Sequence, residues 1–126
     1  MIDKKLFKDE GGRYLTQSLF LEFGYDTDKA VFTFDGEDKE FKGKRYISLK
    51  KLYLEAEDPV EYEFATAHLY DWEHWQRICN NKALLHEISK WRDELEIKLR
   101  SKGIQKVLDL ADDNNFMKIS AELRQR

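Results

Sequence analysis

Several features that this sequence lacks narrow the structures open to it. Among its 126 residues there are one proline, Pro59, and one cysteine, Cys79. A single cysteine excludes an internal disulfide framework and a cysteine-rich zinc module. No apolar run approaches the roughly 20 residues that cross a bilayer, and the start of the chain lacks the apolar stretch of a secretory signal. We therefore expect a cytoplasmic protein with no membrane segment.

The chain also lacks a strong charge of either sign. Its 22 lysines and arginines stand against 25 aspartates and glutamates, for a net charge of −3. Any contact with nucleic acid must therefore come from a local basic patch and not from the field of the whole protein. With 41% hydrophobic and 37% charged residues, the length predicts one domain with a core and a heavily charged surface.

Patterns that carry enzyme chemistry are missing as well. Gly11-Gly12 lacks the surrounding residues of a phosphate-binding loop. The acidic run from Glu55 to Glu63 is better explained by helix capping than by magnesium binding. The candidate zinc ligands are His68, His74, Cys79 and His86. The first three are spaced six and five residues apart, so they do not share one helix face as ligands four residues apart would. We predict no enzyme activity, no catalytic residue, no metal and no cofactor.

The N-terminal third has the pattern of short strands. Ala30–Phe34 alternates β-branched and aromatic residues and leads into Asp35-Gly36, a dipeptide typical of hairpin turns. Further candidate strands cover 18–23, 39–41 and 45–47, with a turn at 42–44. We expect a small antiparallel sheet of two or three strands, covered on its apolar face by helices.

The apolar period changes to 3.6 residues after Ser48, which is a good N-cap. Asp58-Pro59 with Glu61 predicts a capping-box start for a second helix. That helix either continues or restarts at Asp71, and Asn80-Asn81 breaks it.

The longest periodic segment, 82–101, has an apolar stripe that fits either a bundle within one chain or a self-associating helix. Gly103 predicts the end of this helix. A helix, a polar turn at 112–115 and a last helix then have the outline of a helix-turn-helix unit. The predicted class is therefore α+β, mainly helical, as a single domain 1–126. Its parts are a β-hairpin region at 1–47, a helical region at 48–101 and a helix-turn-helix-like end at 102–126.

Positive charge is concentrated in two stretches of the chain, 39–51 and 98–126. Either stretch could contact phosphates, which supply most of the non-specific affinity for DNA. A solvated charged face is the more common explanation of such a run. The sequence pattern alone leaves both explanations open.

Four segments carry a resemblance to known proteins. They are Tyr46–Glu55 (YISLKKLYLE), Glu57–Ala65 (EDPVEYEFA), Trp72–Arg77 (WEHWQR) and Trp91–Ser101 (WRDELEIKLRS). Together they resemble a family of small proteins of tailed bacteriophages, some of which look like terminase small subunits. The resemblance covers about residues 14–126.

This resemblance implies recognition of viral double-stranded DNA and regulation of the packaging motor, in the host cytoplasm, by a ring-shaped homo-oligomer. The implied partners are DNA and the large terminase subunit or another viral protein. The phosphate contacts would be Lys44, Arg45, Lys50 and Lys51. Backbone or groove contacts would come from the C-terminal end, at Lys106, Asn114, Asn115, Lys118 and Arg124.

Subunit contacts of such an oligomer are predicted on the tryptophan-bearing helix and on the long helix. The predicted interface residues are Trp72, Trp75, Leu84, Ile88, Trp91 and Leu95. The alternative function belongs to another class, a small phage adaptor or inhibitor that binds a host or viral protein through its acidic helix and exposed aromatic residues.

Overall fold

The computed structural model describes residues 2–23 and 28–117, of which 113–117 are described as backbone alone. The protein is α+β, with a small sheet followed by helices, as the sequence predicts. The chain divides between Glu94 and Leu95 into two units. This division lies inside a continuous helix.

The sheet has three strands: β1 (Phe32–Thr33), β2 (Lys39–Phe41) and β3 (Lys44–Ser48). β2 and β3 form the predicted antiparallel hairpin. Its two turn residues, Lys42 and Gly43, have φ values of 51° and 78°. A two-residue hairpin turn with positive φ at both positions matches the right-handed twist of the strands, and Gly43 adopts that conformation without a steric cost.

The prediction of a purely antiparallel sheet is wrong, because β1 runs parallel to β3 and the strand order is β1-β3-β2. Asp35-Gly36 therefore does not close a hairpin. Instead, the Ser48 hydroxyl donates to the carbonyl of Asp35, and Asp38 accepts the Ser48 N–H at 2.9 Å. These bonds hold the segment between β1 and β2 against the end of β3. β2 therefore pairs with the edge of β3 that faces away from β1. The predicted strand at 18–23 is also wrong, since Gln17–Leu19 is a 3-10 helix and Phe20 forms a single bridge to Phe32.

Four helices follow: α1 (Leu49–Ala56), α2 (Tyr62–His68), α3 (Trp72–Asn80) and α4 (Lys82–Met117). Ser48 caps α1 as predicted, with its hydroxyl accepting the Lys51 N–H at 3.0 Å. A new helix, α3, begins after Asp71, whose carboxylate caps it. α3 ends before Asn81, whose side chain accepts the N–H of Ala83 at 3.0 Å at the start of α4. Each restart has a polar side chain that replaces a missing intrahelical acceptor.

Two helix boundaries differ from prediction. Asp58 does accept backbone N–H groups, those of Glu63 and Phe64 among them, but α2 begins at Tyr62 instead of Pro59. The helix predicted to end at Gly103 continues through it and through 112–115 to Met117, so the predicted helix-turn-helix is wrong over the described residues. A helix-interior glycine costs only about 1 kcal/mol, which its helix-forming neighbours can offset. Lys118 and Arg124 lie outside the described residues.

The core of the first unit is largely aromatic. Phe7, Phe20 and Phe32 are fully buried, and Phe20 stacks on Phe34 with ring centroids 4.4 Å apart. Trp75 and Trp91 are each 1% exposed. In the described part of the chain, no helix is long and apolar enough to cross a membrane.

Candidate nucleic-acid interface

The predicted phosphate contacts on β3 and α1 already have partners within the protein. Arg45 pairs with Asp38 at 2.9 Å, and Lys44 donates to the backbone carbonyl of Asp28 at 3.1 Å. Such surface pairs are weak and a phosphate could compete for the cations. The local positive potential is nevertheless reduced by the neighbouring acids.

The same holds on α1, where Lys50 lies 3.4 Å from Glu94 and Lys51 lies 3.6 Å from Glu37. These two lysines are consecutive on a helix, so they point about 100° apart. Three of the four residues of the predicted patch therefore pair with different acids, and the fourth, Lys44, bonds to a backbone carbonyl.

Lys44 and Arg45 do line a cleft of about 390 Å³. Its other cations are Lys5, Lys8 and Lys29, and its acids are Asp9, Glu10 and Asp28. Lys8 is engaged as well, with its ammonium 4.2 Å from the centre of the Tyr70 ring. The mixed charge gives this cleft little selectivity for a polyanion.

A more regular arrangement of positive charge lies on α4. Lys98, Lys102 and Lys106 are spaced by four residues, so they follow one face of the helix with a rise of about 6 Å between neighbours. We call these three residues the lysine row. Lys102 and Lys106 are exposed and Lys98 is half-buried. Of the three, only Lys106 was a predicted DNA contact, and the continuity of the helix through Gly103 is what aligns it with the other two.

The face of α4 roughly opposite the lysine row is apolar. Its large side chains are Ile97, Ile104, Val107 and Leu108, which are 63%, 56%, 65% and 53% exposed. Ala111 continues the same face. We call these five residues the apolar stripe. Asn114 and Asn115, both predicted to contact DNA, lie in the last turns of α4.

The predicted oligomer interface is not available as a surface. Trp75, Leu84, Ile88, Trp91 and Leu95 are at most 2% exposed in the single chain. The sixth predicted residue, Trp72, is half-buried and packs against Tyr62 with ring centroids 5.7 Å apart. The spacing of these residues correctly indicated a buried face, but five of them are covered without a second copy.

A buried carboxylate joins three helices and the loop before α2. Glu61, whose side chain is 9% exposed, accepts bonds from Tyr53 Oη at 2.7 Å and Trp75 Nε1 at 3.0 Å. Arg92 adds two bonds, from Nε at 2.8 Å and from Nη2 at 2.9 Å. Burial by itself would raise the pKa of Glu61, but the bonds from Arg92, Trp75 and Tyr53 outweigh it and lower the pKa.

This arrangement is structural in character. Both carboxylate oxygens are occupied by donors, so Glu61 is neither a free base nor a metal ligand. The nearby Cys79 accepts a contact from Arg92 at 3.2 Å, and burial raises the pKa of its thiol to about 11. Such a thiol is unreactive at neutral pH. Across the described residues, no group of three or more histidine, cysteine and acidic side chains is arranged to hold a metal ion.

Comparison of the chain with protein-family models, with curated proteins and with solved structures finds no match. The resemblance to small tailed-phage proteins therefore stays a prediction.

Proposed function

We propose that the protein is a non-catalytic DNA-recognition protein, of the terminase small subunit type that its sequence resembles, and that it acts in phage genome packaging. The lysine row is the observation that carries this proposal. Three cations on one face of one helix form a linear positive surface, and cations that neutralise phosphates are the main source of affinity for duplex DNA.

The charge around the lysine row supports this role. From Glu96 to Lys106 the helix carries four cations and one acid, although the protein as a whole is acidic. Arg100, the fourth cation, bonds to Glu96 at 2.8 Å. Phosphate contacts of this kind position a protein on DNA without reading its sequence.

The test is the salt dependence of duplex binding by the full chain, followed by fluorescence anisotropy of a labelled duplex between 50 and 200 mM KCl. We compare the wild type with Lys98→Gln/Lys102→Gln/Lys106→Gln. A matched control, Arg13→Gln/Arg77→Gln/Lys90→Gln, removes three positive charges that each pair with an acid on the surface and that were not predicted to contact DNA. Circular dichroism at 222 nm checks that all three proteins retain their helices.

The slope of log K against log[KCl] is negative for a protein that binds phosphates. If the row contacts phosphates, replacing its lysines should make this slope less steep by about 0.9 for each contact removed. The control triple variant should keep most of the wild-type slope. Equal losses in both variants would mean that general charge drives binding. A wild type without measurable salt-dependent binding would refute the DNA function.

The alternative function, an adaptor or inhibitor that binds a host or viral protein, is favoured by a different observation. Val60 and Tyr62 are 73% and 55% exposed at the start of α2, and Tyr62 packs on the half-buried Trp72. Aromatic residues are enriched at protein contact sites, and an acid beside them such as Glu63 would belong to the polar rim of such a site. A defined partner that binds the wild type and the lysine-row variant alike, but loses at least tenfold in affinity with Val60→Ser/Tyr62→Ser, would favour the adaptor.

A further inference from the structure

The chain has one long stretch, 52–76, that contains seven acids and no lysine or arginine. Two of these acids meet cations from outside the stretch, since Arg92 pairs with Glu61 and Arg77 pairs with Glu73. The loop before α2 and the first turn of that helix therefore carry a net negative charge even when Arg92 is counted.

This loop has a fixed conformation. Its ends, Glu57 and Glu61, have left-handed backbone angles, with φ of 51° and 74°. Residues other than glycine adopt this region only where the surrounding structure holds them. The Glu61 carboxylate accepts four hydrogen bonds in the core, and Asp58 accepts the N–H groups of Val60 at 3.2 Å and Glu63 at 2.9 Å. A loop held in this way loses little conformational entropy when it binds.

Apolar side chains point out of this loop. Val60 and Tyr62, the two neighbours of the buried Glu61, are 73% and 55% exposed. Two acids of the loop, Asp58 and Glu63, flank them in the sequence. We call Asp58, Val60, Tyr62 and Glu63 the plug. A partner of the plug must offer an apolar surface beside cations.

The cleft of about 390 Å³ lies in the same unit and has the complementary chemistry. Its charged lining consists of five cations against three acids, a net charge of opposite sign to that of the plug. A volume near the lower end of the range for ligand pockets, about 300–1,000 Å³, fits two side chains and not a whole helix. The apolar residues of the lining are Leu6, Leu15, Ala30, Val31 and Ile47.

Two of the five cations of the cleft are open to a partner. Lys8, Lys44 and Arg45 contact a ring, a carbonyl and a carboxylate of the same chain. The other two, Lys5 and Lys29, are exposed. Their ammonium groups are therefore the cations that the acids of a docked group would meet.

We propose that the plug of one copy of this chain docks in the cleft of a second copy. The apolar pair of the plug covers the apolar lining, and its two carboxylates lie beside Lys5 and Lys29. The plug and the cleft are different surfaces, so each copy keeps a surface free for a further copy. Such a head-to-tail contact repeats until it closes a ring or extends as a filament.

The proposal goes beyond DNA recognition and does not depend on it. It assigns self-association to exposed residues, whereas five of the six interface residues predicted from the sequence are buried within one chain. A contact that repeats head to tail is also compatible with the ring-shaped homo-oligomer that the resemblance implies. One loop in one cleft is smaller than a standard interface of about 800 Å² on each partner. We therefore expect a dissociation constant of about 10 µM or weaker for each contact.

Sedimentation equilibrium of the full chain from about 5 to 500 µM tests the contact with two variants. Val60→Ser/Tyr62→Ser removes the apolar pair of the plug, and Lys5→Glu/Lys29→Glu reverses the charge of two cleft cations. The wild type should form assemblies of three or more copies, whereas each variant alone should associate at least about 30-fold more weakly. An equimolar mixture of the two variants should form a complex of two copies and no larger, because only one intact plug and one intact cleft can meet.

Two control variants make the same changes at other exposed positions. Ile104→Ser/Leu108→Ser removes two exposed apolar groups from α4, and Lys82→Glu/Lys90→Glu reverses two exposed charges. Both controls should associate like the wild type. Circular dichroism at 222 nm should show that all five proteins retain their helices.

A wild type that is monomeric at every concentration, or that stops at two copies, would overturn the proposal. The same conclusion would follow from a mixture of the two variants that stays monomeric while the wild type associates. Loss of association in Ile104→Ser/Leu108→Ser would assign the contact to α4 and would overturn the proposal too. A different protein that binds the plug of a monomeric wild type would identify another occupant in place of a second copy.

Discussion

Replacing Glu61 by glutamine should destabilise the first unit strongly, although the two side chains have nearly the same shape. Four hydrogen bonds converge on the two carboxylate oxygens, two on each. A glutamine amide has one oxygen that can accept hydrogen bonds. Its NH₂ group, which can only donate, would face the two donors that bond to the other carboxylate oxygen in the wild type. The substitution therefore loses two bonds and leaves Arg92 without its counter-ion.

The size of this effect can be estimated from burial. Removing one partner of a buried ion pair typically costs about 3–5 kcal/mol. Because the Arg92 side chain is 38% exposed and keeps some contact with water, we expect the lower end, about 3 kcal/mol. The free energy of unfolding is measured in urea by tryptophan fluorescence, since Trp75 donates to this carboxylate.

Two further variants make the test specific. Arg92→Met alone leaves a buried carboxylate without its cation, and the double variant Glu61→Gln/Arg92→Met should cost less than the sum of the single changes. Glu73→Gln breaks an exposed pair with Arg77 and should change stability by no more than about 0.5 kcal/mol. A loss below about 1 kcal/mol for Glu61→Gln would refute the assigned role of this carboxylate.

Two other predictions concern α4 and a buried histidine. Gly103→Ala should stabilise the helix by about 0.5–1 kcal/mol, because alanine favours the helix and nothing lies within 4 Å of the added Cβ. Amide hydrogen exchange of residues 100–110 should therefore slow. Faster exchange would indicate a helix end at Gly103. His74 accepts the Tyr70 N–H through Nδ1 and bonds the Leu15 carbonyl through Nε2, and burial lowers its pKa from the usual 6.5. The unfolded chain therefore binds a proton at higher pH than the folded chain, so the free energy of unfolding should fall as pH drops below about 6.5. Urea titrations at pH 7.5 and 5.5 should show this loss in the wild type and a smaller one in His74→Gln, with His68→Gln as a comparison because burial lowers that pKa as well; an unchanged loss in His74→Gln would remove His74 as its source.

The helix starts show how far local chemistry reaches. Ser48 and Asp71 cap helices where their side chains predict it, because a cap needs only an acceptor within a few residues of the free N–H groups. The hairpin at Lys42-Gly43 is local in the same sense. Asp58 also accepts N–H groups at the start of α2, as its side chain predicts. Glu61, the other predicted member of this cap, instead forms the buried ion pair with Arg92, and the helix begins after it.

The candidate site was harder to predict than the elements. Charge clustering in the sequence indicated Lys44, Arg45, Lys50 and Lys51, yet sequence distance does not reveal that Asp38, Glu94 and Glu37 meet three of them. The lysine row required the helix to continue through Gly103. Its spacing of four residues was visible in the sequence, but the predicted helix end at that glycine separated Lys106 from the other two.

The sequence by itself determined the α+β class, the hairpin at 42–43, the capped helix starts and the buried face of α4 from Leu84 to Leu95, because each depends on residues close together in the chain. Tertiary structure decided which side of β3 takes β2, which acid meets each surface cation, and that Glu61 is a buried partner of Arg92. These contacts join residues 7 to 44 positions apart, and their free energies depend on burial that exists only after the core has formed.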